Sequence, residues 1–117
     1  MPFFLHQVSY TPEAIARLIA NPQDRLEAVR GPIEKLGGKI KDSYFAFGEH
    51  DVVVITEMPD NVSAAAIALA FAGGGAVRAG KTTPLMTAAE AMDAMRKAAT
   101  CGYKSITATA SAAAARP

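Results

Sequence analysis

Gly48-Glu49-His50-Asp51 is the densest cluster of reactive side chains in this sequence, and it stands directly before the β-branched run Val52-Val53-Val54-Ile55-Thr56. A histidine titrates near neutrality and an adjacent carboxylate can orient it, so the pair has the parts of a proton shuttle or of a small-anion site. A hairpin turn uses the same residue types for local reasons. Glycine supplies a backbone at positive φ, and aspartate accepts neighbouring N–H groups. Chemistry requires partners from elsewhere in the chain, whereas a turn needs only its neighbours.

The elements that must bring such partners together follow from the hydrophobic pattern. Phe3 to Tyr10 reads as a strand, followed by Thr11 as a helix N-cap and Pro12 at the first helical position. Ile15, Leu18, Ile19, Leu26, Val29, Ile33 and Leu36 then recur at the spacing of one helix face, with a restart at Asn21-Pro22, a bend at Pro32 and a stop at Gly37-Gly38. Lys39 to Phe47 and Asp51 to Met58 read as two strands, joined by Gly48-Glu49-His50 as a tight connection. Asp60 or Asn61 caps a second helix that runs to Ala72 and ends in Gly73-Gly74-Gly75, after which Val77 to Leu85 reads as a fourth strand. Thr87-Ala88-Ala89-Glu90 is a capping box for a helix from Ala88 to about Ala99. Beyond it small residues dominate, so the expected organisation is one domain over residues 1–99 and a flexible tail over 100–117.

The order β-α-β-β-α-β is the ferredoxin-like plan, an α+β fold with an antiparallel four-stranded sheet of order 4-1-3-2, here with an added C-terminal helix. Alternation along the third strand sends Val52, Val54 and Met58 to one face and Val53 and Ile55 to the other. On the second strand Ile40, Tyr44 and Ala46 alternate with Phe45 and Phe47, so neither sheet face is built for water. Helices cover one face. A second copy of the chain, packed sheet to sheet, is the economical cover for the other, which predicts a homodimer or a higher homo-oligomer.

In this plan His50 and Asp51 lie at the same end of the sheet as Tyr10, Arg78 and the start of the first helix. Gly48, His50, Asp51 and Arg78 are therefore the candidate ligand-binding residues, and His50, Asp51 and Tyr10 are catalytic candidates. Glu57, an acid in an apolar strand, is a further candidate if it faces a cavity between sheet and helices. Alternatively it sits at a strand end and reaches solvent or a lysine, with Lys81 expected at the same end of the sheet. His6 is either a pocket residue or a hydrogen-bonded core or interface histidine.

Other classes of function are poorly supported. Gly75-Ala76-Val77-Arg78-Ala79-Gly80-Lys81-Thr82 satisfies the phosphate-loop pattern, but that mechanism needs a strand before it and a helix after it, and here a helix precedes and an extended segment follows. Twelve basic and eleven acidic residues leave a net charge of +1 without a basic stripe, so nucleic acid is not an expected partner. The uncharged run from Asn61 to Val77 falls short of a membrane span, and Met1 to His6 has no basic leader, so a cytoplasmic location is expected. The lone Cys101 and the absence of metal-ligand spacing leave no metal or cofactor in the expectation.

The stretches "VSYTPEA", "FAFGEHDVVVITEMPDNVSAAAIALA" and "GGGAVRAGKTTPLMT" together resemble the GYD-domain proteins, small bacterial proteins of the dimeric α/β-barrel superfamily, over roughly Leu5 to Lys97. The resemblance implies a barrel-type dimer. It matches Gly48 and Asp51 to a Gly-x-Tyr-Asp pattern and puts His50 where tyrosine is usual. Two functions then compete. One is an oligomeric module that binds a small organic ligand between sheet and helices. The other, resting on analogy within the superfamily, is a cofactor-free oxygenase or isomerase acting on a small apolar or aromatic molecule.

Overall fold

Thr11 caps the first helix as its sequence predicts, its hydroxyl accepting from Ala14 N at 3.1 Å, with Pro12 next in the chain where no amide hydrogen is needed. The computed structural model describes residues 1–106. Its elements are β1 (Phe3–Tyr10), α1 (Pro12–Ala20), α2 (Arg25–Ala28), α3 (Arg30–Lys35), β2 (Lys39–Phe45), β3 (Val52–Glu57), α4 (Asn61–Gly73), β4 (Val77–Leu85) and α5 (Ala88–Ala98). Met1–Leu85 forms one compact unit, and α5 belongs to a second that begins at Met86. Of the tail expected over residues 100–117, positions 107–117 lie outside the described residues.

The sheet order is β2-β3-β1-β4 with every neighbouring pair antiparallel, which is the ferredoxin-like α+β arrangement. β1 is central. Its inward residues Phe4 and Val8 join Val52, Val54 and Met58 from the β3 segment, Ile33 of α3, and Ala64 and Ile67 of α4 in a single buried core. Asp60 caps α4 by accepting from Ser63 N at 2.8 Å, and that bond holds the Asp60 carboxyl below the usual carboxylate range. Among the described residues no helix is long and apolar enough to cross a membrane.

The long helical pattern between the first two strands breaks into three pieces. Pro22 stops the first, and Asp24 restarts the chain by accepting from Glu27 N at 3.0 Å. Pro32 does not bend a helix, because it falls in the first turn of α3, where the missing N–H has no carbonyl to meet. α5 carries the full capping box, with Glu90 N donating to Thr87 Oγ1 at 3.1 Å and Thr87 N to Glu90 Oε1 at 2.8 Å.

The second strand departs from simple alternation. Its register against β3 slips between Ile40 and Asp42, so Lys41 is an extra residue and every later side chain changes face. Tyr44, opposite Val53, therefore lies on the helix-free face together with Ile55 and Leu5. Ile40, opposite Thr56, packs against the core. Phe45 pairs with Val52 rather than sharing a face with Val53 and Ile55, and Phe47 lies past the strand end, fully exposed.

Where α3 turns into β2 the chain passes close to the start of the next connection. A Cβ on Gly38 would stand 2.7 Å from the Glu57 carbonyl oxygen and would also collide with the Met58 sulfur. Gly38→Ala is expected to lower stability by about 1–3 kcal/mol, the range of an overpacked interior site. Urea unfolding checks this, and an unchanged midpoint would contradict the close approach.

Candidate functional site

The cluster at residues 48–51 belongs to a six-residue connection, Ala46 to Asp51, and this connection folds back over the end of β1. Asp51 N donates to Val8 O at 2.8 Å, Ala46 N donates to Asp51 O at 2.8 Å, and the Asp51 carboxylate accepts from Tyr10 N at 2.8 Å. That last bond falls where the β1–β4 register slips between Ser9 and Tyr10. Gly48 has φ +141°, with open space around its missing side chain. Gly48 and Asp51 are thus fixed by backbone geometry.

Ser9 completes the clamp. It is 1% exposed, although its place in the strand sends it to the uncovered face, because the connection lies on top of it. Its hydroxyl donates to Glu49 O at 2.7 Å and lies 3.2 Å from His50 Nδ1. A hydroxyl has one hydrogen, and Ser9 gives it to the carbonyl, so Nδ1 of His50 must carry the hydrogen of the second bond. The imidazole therefore does not activate Ser9 as a nucleophile; it helps to hold the loop down.

The remaining candidates divide. Tyr10 is half-buried beside the Asp51 backbone bond, and its phenol pKa is raised, chiefly by burial, with the neighbouring Arg25 guanidinium acting in the opposite sense. Arg78 is exposed and forms no ion pair with Asp51. Glu57 faces the helix-free side of the sheet, between Lys39 at 3.5 Å and Lys41 at 3.6 Å, and not a cavity under the helices. Lys81 lies in mid-strand opposite Gln7, away from Glu57.

His6 has the largest buried polar side chain of the core. It is 1% exposed, with Nε2 at 3.0 Å from Thr56 Oγ1, Nδ1 at 3.0 Å from Thr82 Oγ1, and the Phe71 ring edge-on at 6.3 Å between centroids. Burial lowers its pKa from the ordinary value and favours the neutral ring. Beside it opens a cleft of about 210 Å³ between α4 and the β1–β4 pair, walled by Val8, Ala68, Phe71, Ala72, Val77 and Gly80. The space exists because the helix-facing position next to Thr82 on β4 is a glycine and the facing helix offers alanines. A second cleft of about 160 Å³ shares Val8, Phe71 and Val77 and reaches Tyr10 and Arg25.

The model of the GYD domain matches residues 4–95, a span that includes the clamped connection, His6 and both clefts. The chain belongs to the GYD-domain family. No curated protein matches it. In this GYD-domain chain the phosphate-loop pattern lies across β4, with Val77 to Thr82 in the strand and the strand continuing to Leu85, so the loop-to-helix turn that cradles phosphate is not formed. Among the described residues no group of His, Cys, Asp and Glu is placed to hold a metal ion.

Thr56, Thr82, Ser9 and Arg25 are the residues of the GYD domain that sequence reasoning missed. The two threonines carried a signal: Thr56 occupies an inward position between Val54 and Met58, and an inward threonine near an inward histidine needs a partner. Ser9 and Arg25 carried none, since only the fold of the connection and the break after Ala20 bring them into place.

If the connection is a structural clamp, Gly48→Val should destabilise by about 1–3 kcal/mol through backbone strain, and Asp51→Ala by about 1–2 kcal/mol through loss of a charge-assisted bond. His50→Tyr should still fold, and Arg78→Ala should leave the Asp51→Ala effect unchanged. Denaturant unfolding of the four variants checks this pattern. Full stability in Asp51→Ala would contradict the clamp.

Proposed function

We propose that this GYD-domain protein is a homo-oligomeric binding module that takes a small, largely apolar organic molecule between α4 and the sheet. The observation that carries the reading is the cleft of about 210 Å³ beside His6, apolar on most sides and closed below by a buried polar group. Binding sites commonly combine apolar walls with a few fixed polar groups, and an apolar cavity of about 150 Å³ is already large enough for benzene. Polar groups of the cluster at residues 48–51 are already bonded to Val8, Ser9 and Tyr10, which favours the cleft as the place for a ligand.

The oligomeric part rests on the helix-free face. Leu5, Val53 and Ile55 are only half-buried there, Tyr44 is exposed, and Glu57 with its two lysines supplies the polar margin. A sheet face of this kind, covered by the same face of a second copy, gives a two-fold assembly in which residue contacts are reciprocal. The dimeric barrel implied by the family is one such assembly.

Two measurements test the two parts. Benzene added to the nitrogen-15-labelled protein should shift the amide resonances of Phe71 and Gly80 saturably, and Gly80→Val, which fills the cleft, should abolish the shifts while the fold persists. Shifts that never saturate would overturn the binding reading. Sedimentation at micromolar concentration should give a dimer or larger, and a stable monomer would overturn the oligomeric one.

A further inference from the structure

The hydrogen-bond chain through His6 has a defined direction. Thr56 is fully buried, and His6 Nε2 is the one hydrogen-bond partner of its hydroxyl among the described residues. A buried O–H with a single available acceptor donates to it, since leaving the hydrogen unpaired would cost the desolvation of the group. Nε2 of His6 is therefore the acceptor. In a neutral imidazole the other nitrogen then carries the hydrogen, so Nδ1 donates to Thr82 Oγ1. With its oxygen engaged as acceptor, Thr82 keeps its own hydrogen free.

Thr82 is half-buried and lines the cleft of about 210 Å³, next to Gly80 and across from Ala68, Phe71 and Ala72. Gln7 and Lys81 border the same cleft, but strand alternation directs their side chains to the other face of the sheet. The cleft thus presents one oriented hydroxyl donor, backed by the two hydrogen bonds of His6, within apolar walls.

We propose that the Thr56–His6–Thr82 chain selects a neutral, single-ring-sized organic ligand that carries one hydrogen-bond acceptor, with a carbonyl oxygen received by the Thr82 hydroxyl. This rests on the binding reading of the same cleft and adds to it the chemical class of the ligand and the group that reads it. A carboxylate is disfavoured, because a neutral hydroxyl cannot compensate a buried charge. A hydrocarbon of the same shape fits the walls but leaves the donor unpaired, so the hydroxyl is a specificity determinant of the site. No covalent bond to the ligand forms or breaks.

The test compares acetophenone, ethylbenzene and benzoate as probes, titrated into the wild-type protein and into Thr82→Val, which keeps the β-branched shape and removes the hydroxyl. Thr82→Val should weaken acetophenone roughly 3- to 10-fold, the worth of one neutral hydrogen bond, and leave ethylbenzene within about twofold. Nitrogen-15 spectra of the imidazole should show His6 with its hydrogen on Nδ1 in the wild type. Equal losses for both neutral probes, benzoate binding more tightly than acetophenone, or a hydrogen on Nε2 would overturn the donor assignment while leaving the cleft as a binding site. Failure of both neutral probes to bind would overturn the cleft reading and this inference together.

Discussion

An imidazole buried at the centre of the sheet must have both ring nitrogens satisfied, and that requirement organises the rest of this domain. His6 sits on the central strand and reaches Thr56 on β3 and Thr82 on β4, so one side chain bonds to both neighbouring strands of β1. An unpaired polar group in this position would cost about 1–3 kcal/mol, a large fraction of the stability of a small domain. The two threonines meet that demand in a core otherwise made of Phe4, Val8, Val54, Met58 and Ile67. A polar chain of this kind also fixes register, because a slip of one residue in either strand would turn its threonine to the opposite face.

The cleft follows from the residues set beside this chain. α4 is apolar nearly all round, with Val62 and Leu69 exposed on its outer side, and its inner side uses alanine at Ala64, Ala68 and Ala72. Small residues allow a helix to approach a sheet closely, but opposite Gly80 there is no side chain to complete the contact. What remains is a hollow with Phe71 as one wall and the imidazole edge as its base. At the end of β1 the connection from β2 to β3 is tied down by Ser9, Val8 and Tyr10, so the polar cluster that stands out in the sequence is bonded to the strand end.

Much of the architecture was legible in the sequence because its signals are local. Thr11-Pro12, Asp60 and the Thr87–Glu90 box mark helix starts by side-chain chemistry that needs no tertiary partner, and the strand Val77–Leu85 is read correctly from composition alone. The face assignment of Tyr44 and Phe45 failed because a single extra residue at Lys41 inverts alternation, and nothing in "GGKIKDSYF" marks that position as a bulge. Asp51 and Arg78 are expected at one end of the sheet, but the carboxylate takes the Tyr10 amide, beside the point where the β1–β4 register slips past Arg78. Asp51 as a backbone acceptor was foreseeable, whereas its partner depends on a bulge. For His6 the sequence allows a pocket role and a core role, and the structure unites them, since a hydrogen-bonded core histidine here also borders a cleft.

Burial between its two threonines favours the neutral form of His6 in the folded domain. Its folded pKa lies below the unfolded value of about 6.5, so below that pH the unfolded chain takes up a proton that the folded chain does not. Stability must then fall as pH drops through about 6.5, with a slope of at most about 1.4 kcal/mol per pH unit, and level off only below the folded pKa. The direct measurement is urea unfolding from about pH 7.5 to about 5.5, for the wild type and for His6→Gln, which removes the titrating ring. The wild type should lose stability with acid more steeply than the variant does. Parallel curves would show that His6 has the same pKa folded and unfolded, and would contradict a neutral ring favoured by burial.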